Sequence, residues 1–226
     1  MKCPKLILLI SVLLVGCSNP MNFSENPQDA QKISLSTPGM NTSSKGNETD
    51  DQIADMSNCN LRPIKIPKLP KNIPGYTQLD EATGLHVTGS PIVVDFKSYL
   101  FKVTGLVDNP LTLTYDELRC MPKISSNAEL VCPGFFVDVA NWSGVPIKYL
   151  LEQAGINPTA QQIILVSEDG YERNLDLDQA LAEENIIAYE WEGQPLPVLH
   201  GFPLRAVIPS MDGSFWVKWL VEIRVE

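Results

Sequence analysis

The pattern of apolar positions divides the chain into three stretches. Leu6 to Val15 is an almost unbroken apolar run, preceded by Lys2 and Lys5. From Ser18 to about Pro74, apolar residues are scattered among Asn, Ser, Thr, Asp, Gln and Pro with no sustained period. Such a segment cannot bury enough surface to offset chain entropy and reads as a tether. From Gly75 to Glu226 the pattern becomes periodic. These roughly 150 residues are the usual size of one domain.

Within that domain, Tyr99–Gly105 reads as a strand ended by the turn Asp108-Asn109-Pro110. Thr114 and Glu117 form a capping box that opens a short helix through Leu118. Leu130-Val131-Cys132 reads as a short strand cut by Pro133. Ser143 is expected to cap a helix whose Ile147, Leu150, Leu151 and Ala154 share one face, with Gly155 as its stop. Ile163–Val166 is a buried strand running into the turn Asp169-Gly170, after which Tyr171 begins the next segment. Leu177–Ala182 reads as a short helix, Ile186–Trp191 and the residues after Glu192-Gly193 as a hairpin, and Leu204–Ile208 as a strand. Val217, Trp219, Val221, Ile223 and Val225 alternate with polar residues, Leu220 excepted, and predict a half-buried closing strand. Strands outnumber helices and follow no βαβ rhythm, so the fold class is α+β with a mixed sheet.

Charge and cysteines narrow the setting. The chain has 226 residues, 17 Lys and Arg against 27 Asp and Glu, and a formal charge of -10. That argues against nucleic acid or anionic lipid as partners, because both reward clustered cations. Residues 1–16 have the layout of an export signal, and Leu14-Val15-Gly16-Cys17 fits a bacterial lipobox in which Cys17 receives lipid. An ordinary secretory signal or an uncleaved anchor is the alternative. Either way, the folded domain is expected outside the cytoplasm, beyond a tether over residues 17–74 that Pro63–Lys71 stiffens. Of five cysteines, Cys3 leaves with the signal and Cys17 carries lipid, leaving Cys59, Cys120 and Cys132. A Cys59–Cys120 bond is permitted outside the cytoplasm, but nothing in the sequence requires it, and Cys120 reads more simply as a small buried hydrophobe. No Cys-x-x-Cys or zinc-type spacing is present.

Cys132 by itself would read as an inert thiol, but its surroundings change that reading. Gly105 with Pro110-Leu111-Thr112-Leu113, Trp142 to Gly155, and Ala188-Tyr189-Glu190 through His200-Gly201-Phe202-Pro203-Leu204-Arg205 stand in the order found in the sulfite oxidase family. From about Gly84 to the C-terminus the chain resembles the molybdopterin-binding domain of that family. The resemblance implies a molybdopterin cofactor, two-electron oxygen-atom transfer, and Cys132 as the thiolate ligand of molybdenum, a soft donor suited to that metal. It also implies that His86, His200, Arg205 and Lys218 contact the cofactor, the two cations near its phosphate. Tyr171 falls where the family's active-site tyrosine lies. Read without the family, Arg205 and Lys218 sit on strands with polar alternate faces and would point to water, His200 is a turn histidine, and Tyr171 is a half-exposed strand residue.

The pattern also departs from the family. Sulfite oxidases follow the cysteine with Asn-Arg-Arg and precede the early histidine with Arg-Asn, whereas this chain reads Cys132-Pro133-Gly134-Phe135-Phe136 and Thr83-Gly84-Leu85-His86. A sulfite dianion in a pocket bordered by Phe135, Phe136 and Leu85 would be poorly compensated, which argues for a neutral or less charged substrate such as a sulfoxide. The leader lacks the arginine pair with which relatives export a loaded enzyme. The rival expectation is therefore a cofactor-free lipoprotein that keeps the fold as a binding module. With no haem or flavin domain, electrons are expected to pass through a separate partner, such as a membrane cytochrome.

Overall fold

The computed structural model describes residues 59–226; residues 1–58, with the export leader and Cys17, lie outside the described residues. Two five-stranded sheets share one hydrophobic core. The first is antiparallel and is built from β5 (Ile124–Cys132), β6 (Phe136–Pro146), β9 (Ile186–Trp191), β10 (Gln194–Pro195) and β11 (Arg205–Val207). In the second, β4 (Leu111–Leu113), β3 (Phe101–Gly105), β12 (Leu220–Val225), β7 (Gln162–Ser167) and β8 (Glu172–Asp176) lie side by side in that order. β12 runs parallel to β3 and antiparallel to β7, so the sheet is mixed. A small hairpin of β1 (Leu79–Asp80) and β2 (Leu85–His86) is separate from both.

The three helices are short, and local sequence explains their ends. α1 (Tyr115–Cys120) opens on the capping box, with Thr114 Oγ1 accepting from the Glu117 amide and the Glu117 carboxylate accepting from the Thr114 amide. α2 (Ile147–Ala154) buries Ile147, Leu150, Leu151 and Ala154 and stops at Gly155. α3 (Leu177–Ala180) is a single turn.

Three expectations need correction. Ser143 does not cap α2: it lies inside β6, paired opposite Ser125 and Glu190, and α2 starts after Pro146 with no side-chain cap. The run Asn141–Val145 alternates weakly because a bulge between Ser143 and Gly144 shifts its register against β9, and this hid the strand. The closing strand starts at Leu220, not Val217; Trp219 has a left-handed φ of 50° and the β12–β7 register slips between Leu220 and Glu222. This turns Leu220 into the core and leaves Val221 only half-buried. Cys120 is no lone hydrophobe: it is bonded to Cys59, and this bond fastens the extended segment 59–74 to α1. Arg119 reinforces it by donating to the Arg62 carbonyl at 2.9 Å.

Candidate active site

The β5–β6 hairpin sets the position of Cys132. Its turn is closed by the Phe135 amide donating to the Cys132 carbonyl at 3.0 Å, with Pro133 and then Gly134, at φ 80°, in the two central places. A proline followed by a residue that tolerates positive φ is what a type II turn requires. Strand alternation then turns Leu130, Cys132, Phe136, Asp138 and Trp142 inward, while Val131, Val137 and Val139 face solvent. Phe135 is also turned out, 65% exposed and edge-on to Tyr76, so the expected pocket border keeps Leu85 and Phe136 but loses Phe135.

Two adjoining cavities meet at Cys132. The inner one is lined by Cys132 together with His86, Trp142, His200, Arg205 and Lys218. The outer one shares Cys132 and Lys218 and adds Tyr171, Trp216 and Trp219. All six domain residues singled out in the sequence therefore converge, five in the inner cavity and Tyr171 in the outer. The inner cavity has about 30 Å³ of free space and the outer about 310 Å³. On a scale where one water needs about 10–15 Å³, the first admits a group of a few atoms and the second a ring system.

Neither cation points to water. Arg205, on β11, is 4% exposed, with its guanidinium 5.0 Å from the Trp142 ring and 5.6 Å from the Trp216 ring. It donates through Nη1 to the His200 carbonyl at 3.3 Å; its Nε has no partner, and neither does the buried Trp142 Nε1. Burial lowers its pKa to about 9. Lys218 donates to the carbonyls of Thr88 and Leu199, and burial, then the nearby Arg205, lowers its pKa to about 7. Among the described residues, neither cation has a carboxylate within ion-pair distance. A buried and a half-buried cation without carboxylate partners, beside two unpaired donors, form a receptor for an anion. Gly201 makes their closeness possible, since a Cβ there would sit 3.2 Å from both the Arg205 Cβ and the Lys218 Cα.

The two histidines have different roles. His86 donates from Nδ1 to Asp138 Oδ1 at 2.6 Å, because an ionised carboxylate can only accept, and its amide donates to Asp138 Oδ2 at 2.7 Å. Its ring stacks on Phe136 at 4.4 Å. Nε2 is left for the cavity. His200 is buried, with Nε2 3.0 Å from Thr83 Oγ1 and 3.3 Å from Asp80 Oδ2. Burial, then Arg205, lowers its pKa to about 4, so the ring is neutral at pH 7. Tyr171 donates from its hydroxyl to the Ser214 carbonyl at 3.0 Å. Cys132 is the one free cysteine among the described residues, and burial, then Asp212 and Asp138, raises its thiol pKa. Those neighbours would favour a bound cation over a bare thiolate.

Sequence reasoning missed Asp138, Trp142 as a donor, and the aromatic wall Trp216 and Trp219. Asp138 carried a signal, because an acid facing the core two places after Phe136 in a strand needs a buried partner.

Comparison with known proteins bears on this arrangement. The model of the oxidoreductase molybdopterin binding domain matches residues 87–226. The chain belongs to this family. Molybdopterin is accordingly its cofactor, and the inner cavity's unpaired donors and cations suit a phosphate-bearing group. Among relatives, an uncharacterized oxidoreductase, YuiH, of Bacillus subtilis is 37% identical over 139 residues, covering 60% of this chain and 69% of its own. Sulfite oxidase of Arabidopsis thaliana is 32% identical over 171 residues, and the putative protein-methionine-sulfoxide reductase subunit YedZ1 of Azospira oryzae 29% over 120. These matches cover 60% and 53% of this chain but only 44% and 46% of those two proteins. The sulfane dehydrogenase SoxCD of Paracoccus pantotrophus superposes with a TM-score of 0.58 at 22% identity, over 62% of this chain and 41% of that one, and shows the shared molybdopterin-binding fold.

Proposed function

We propose that this member of the molybdopterin oxidoreductase family performs two-electron oxygen-atom transfer on a small, not strongly anionic substrate, outside the cytoplasm. The single observation that carries the reading is the free Cys132 thiol at the junction of a cationic inner cavity and an aromatic outer one. Cys132 would hold the metal as thiolate; Arg205 and Lys218 would neutralise the phosphate; Trp142 Nε1 and His86 Nε2 would meet polar edges of the pterin. When bound, the cofactor supplies the two-electron oxygen exchange, and the chain supplies placement and electrostatics. Tyr171 lines the outer cavity, and its hydroxyl would reach a substrate oxygen by exchanging the bond it now gives to the Ser214 carbonyl.

The outer cavity bears on the substrate. Its walls include Tyr76, Tyr171, Trp216 and Trp219, and its one cation, Lys218, is shared with the inner cavity and lies near Asp169, a weak counter-charge for a sulfite dianion. A sulfoxide fits: it takes up two electrons and two protons and leaves as thioether and water, the electrons arriving from a separate redox protein, a membrane cytochrome being one candidate. The name of the Azospira relative points to the same chemistry. Lipid on Cys17 would hold the domain to the outer face of a membrane.

Metal analysis of the protein from its native membrane, beside Cys132→Ala, tests the reading. Stoichiometric molybdenum in the first and its loss from the second are expected. Absence of molybdenum from both would leave a cofactor-free binding module in its place. Turnover of a neutral aryl methyl sulfoxide with no turnover of sulfite is the expected substrate profile, and the reverse preference would overturn the substrate assignment alone.

A further inference from the structure

Net acidity conceals a local exception. Arg62, Lys65, Lys68 and Lys71 recur every third residue with no acid among them, and Pro63, Pro67, Pro70 and Pro74 hold the residues before them extended. A polyproline II helix has three residues per turn, so the four cations fall on one edge. Burial follows that period: Leu61, Ile64 and Pro67 are half-buried toward the body of the domain, while all four cations are exposed. Ile64 packs against the hydrophobic core. The Cys59–Cys120 bond and the Arg119 contact fasten the segment, so the row is held on the domain.

We propose that this strap is a docking edge for an anionic phospholipid surface. The neighbouring cations are already spent, Arg119 on Asp116 and Lys123 on Glu190, but among the described residues no carboxylate lies within ion-pair distance of the strap's four. Charge complementarity therefore calls for an external anion. A membrane is favoured over an acidic protein because Ile66, Leu69 and Ile73, interleaved with the lysines, are also exposed. Cations alternating with isolated aliphatic side chains is the composition that settles at a headgroup boundary. With lipid on Cys17, the strap would add a second, electrostatic contact to the same membrane. The inference is independent of the cofactor reading; a chain without molybdenum would dock in the same way. It reverses the sequence-based exclusion of anionic lipid, which rested on the net charge rather than its distribution.

The test is sedimentation of the full chain carrying Cys17→Ser, which takes no lipid there, with vesicles of phosphatidylcholine alone and of phosphatidylcholine with phosphatidylglycerol, across a salt series; the strap variants are made in the same background. At low salt the protein is expected to prefer the anionic vesicles and to lose that preference in high salt. The triple variant Lys65→Gln, Lys68→Gln, Lys71→Gln should bind them about a hundredfold more weakly, since each cation near such a surface is worth roughly a fivefold gain. Replacing the same three by Arg should keep the preference, and equal melting temperatures would confirm that all three proteins are folded. A preference unchanged in the Gln variant overturns the proposal. Equal binding of the chain with its strap unaltered to both vesicle types also overturns it and assigns the row to an acidic protein.

Discussion

At the scale of the residue, the site is a set of polar groups kept from water and only partly matched to one another. Asp138 is buried, and its two oxygens accept from the Nδ1 and the amide of one residue, His86. It acts on the cavity only through that ring, fixing which nitrogen carries the proton. An Asp138→Asn change keeps the shape but lets the amide present a donor to Nδ1, reversing the tautomer. Turnover should fall about 10- to 100-fold with molybdenum content retained, the usual cost of losing an orienting partner behind a cofactor contact. Simultaneous assay and metal analysis checks this; loss of metal would make Asp138 structural instead. His200 gives a second prediction, in stability. Its pKa falls from an ordinary 6.5 to about 4 on folding, so between those values the unfolded chain binds the extra proton. Above pH 6.5 the ring costs nothing; as pH drops toward 4, stability is lost, to roughly 3 kcal/mol in full. Denaturant unfolding between pH 7 and 4 should show a shallower decline for His200→Gln than for the wild-type chain.

At the scale of the element, legibility followed the strength of the local signal. The capping box of α1, the Gly155 stop of α2 and the hairpin after Glu192-Gly193 depend on a few adjacent residues and appear where the sequence placed them. Elements whose limits depend on distant partners did not. β5 was read as three residues and has nine, because Ile124–Glu129 shows its alternation only against β6, and polar Ser125, Asn127 and Glu129 face outward. The convergence of Cys132, His86, His200, Arg205 and Lys218 was legible through family resemblance, which places residues without requiring knowledge of the strands. What the resemblance did not carry was their internal chemistry. The Asp138 carboxylate, the indole donor of Trp142 and the missing counter-ions depend on side-chain contacts between elements far apart in sequence. The same limit explains the strap: a run of Pro and Lys reads as a stiff linker until a disulfide fastens it to α1.

At the scale of the whole molecule, the order of strands constrains when the site can exist. β12 is the last strand in sequence, yet it lies in the middle of its sheet, parallel to β3 and antiparallel to β7. It buries Leu220, Ile223 and Val225 and makes the main-chain bonds that join the two halves of that sheet, with Glu226 still accepting from the amides of Gln161 and Gln162. Without it, β3–β4 and β7–β8 would be separate hairpins, each with an open edge and an uncovered apolar face, and isolated hairpins are marginal in water. Lys218 and Trp219, immediately before it, form walls of the outer cavity and owe their placement to the strand that follows. The placement of these cavity walls thus depends on β12 being paired in its sheet. Truncation after Trp219 tests this, since it removes no residue that lines either cavity. The expected product lacks cooperative unfolding, exchanges the amides of β3 and β7 rapidly, and retains no pterin. A truncated chain that still melts cooperatively with slow exchange in β3 would mean that the second sheet holds without its central strand, and would overturn this dependence.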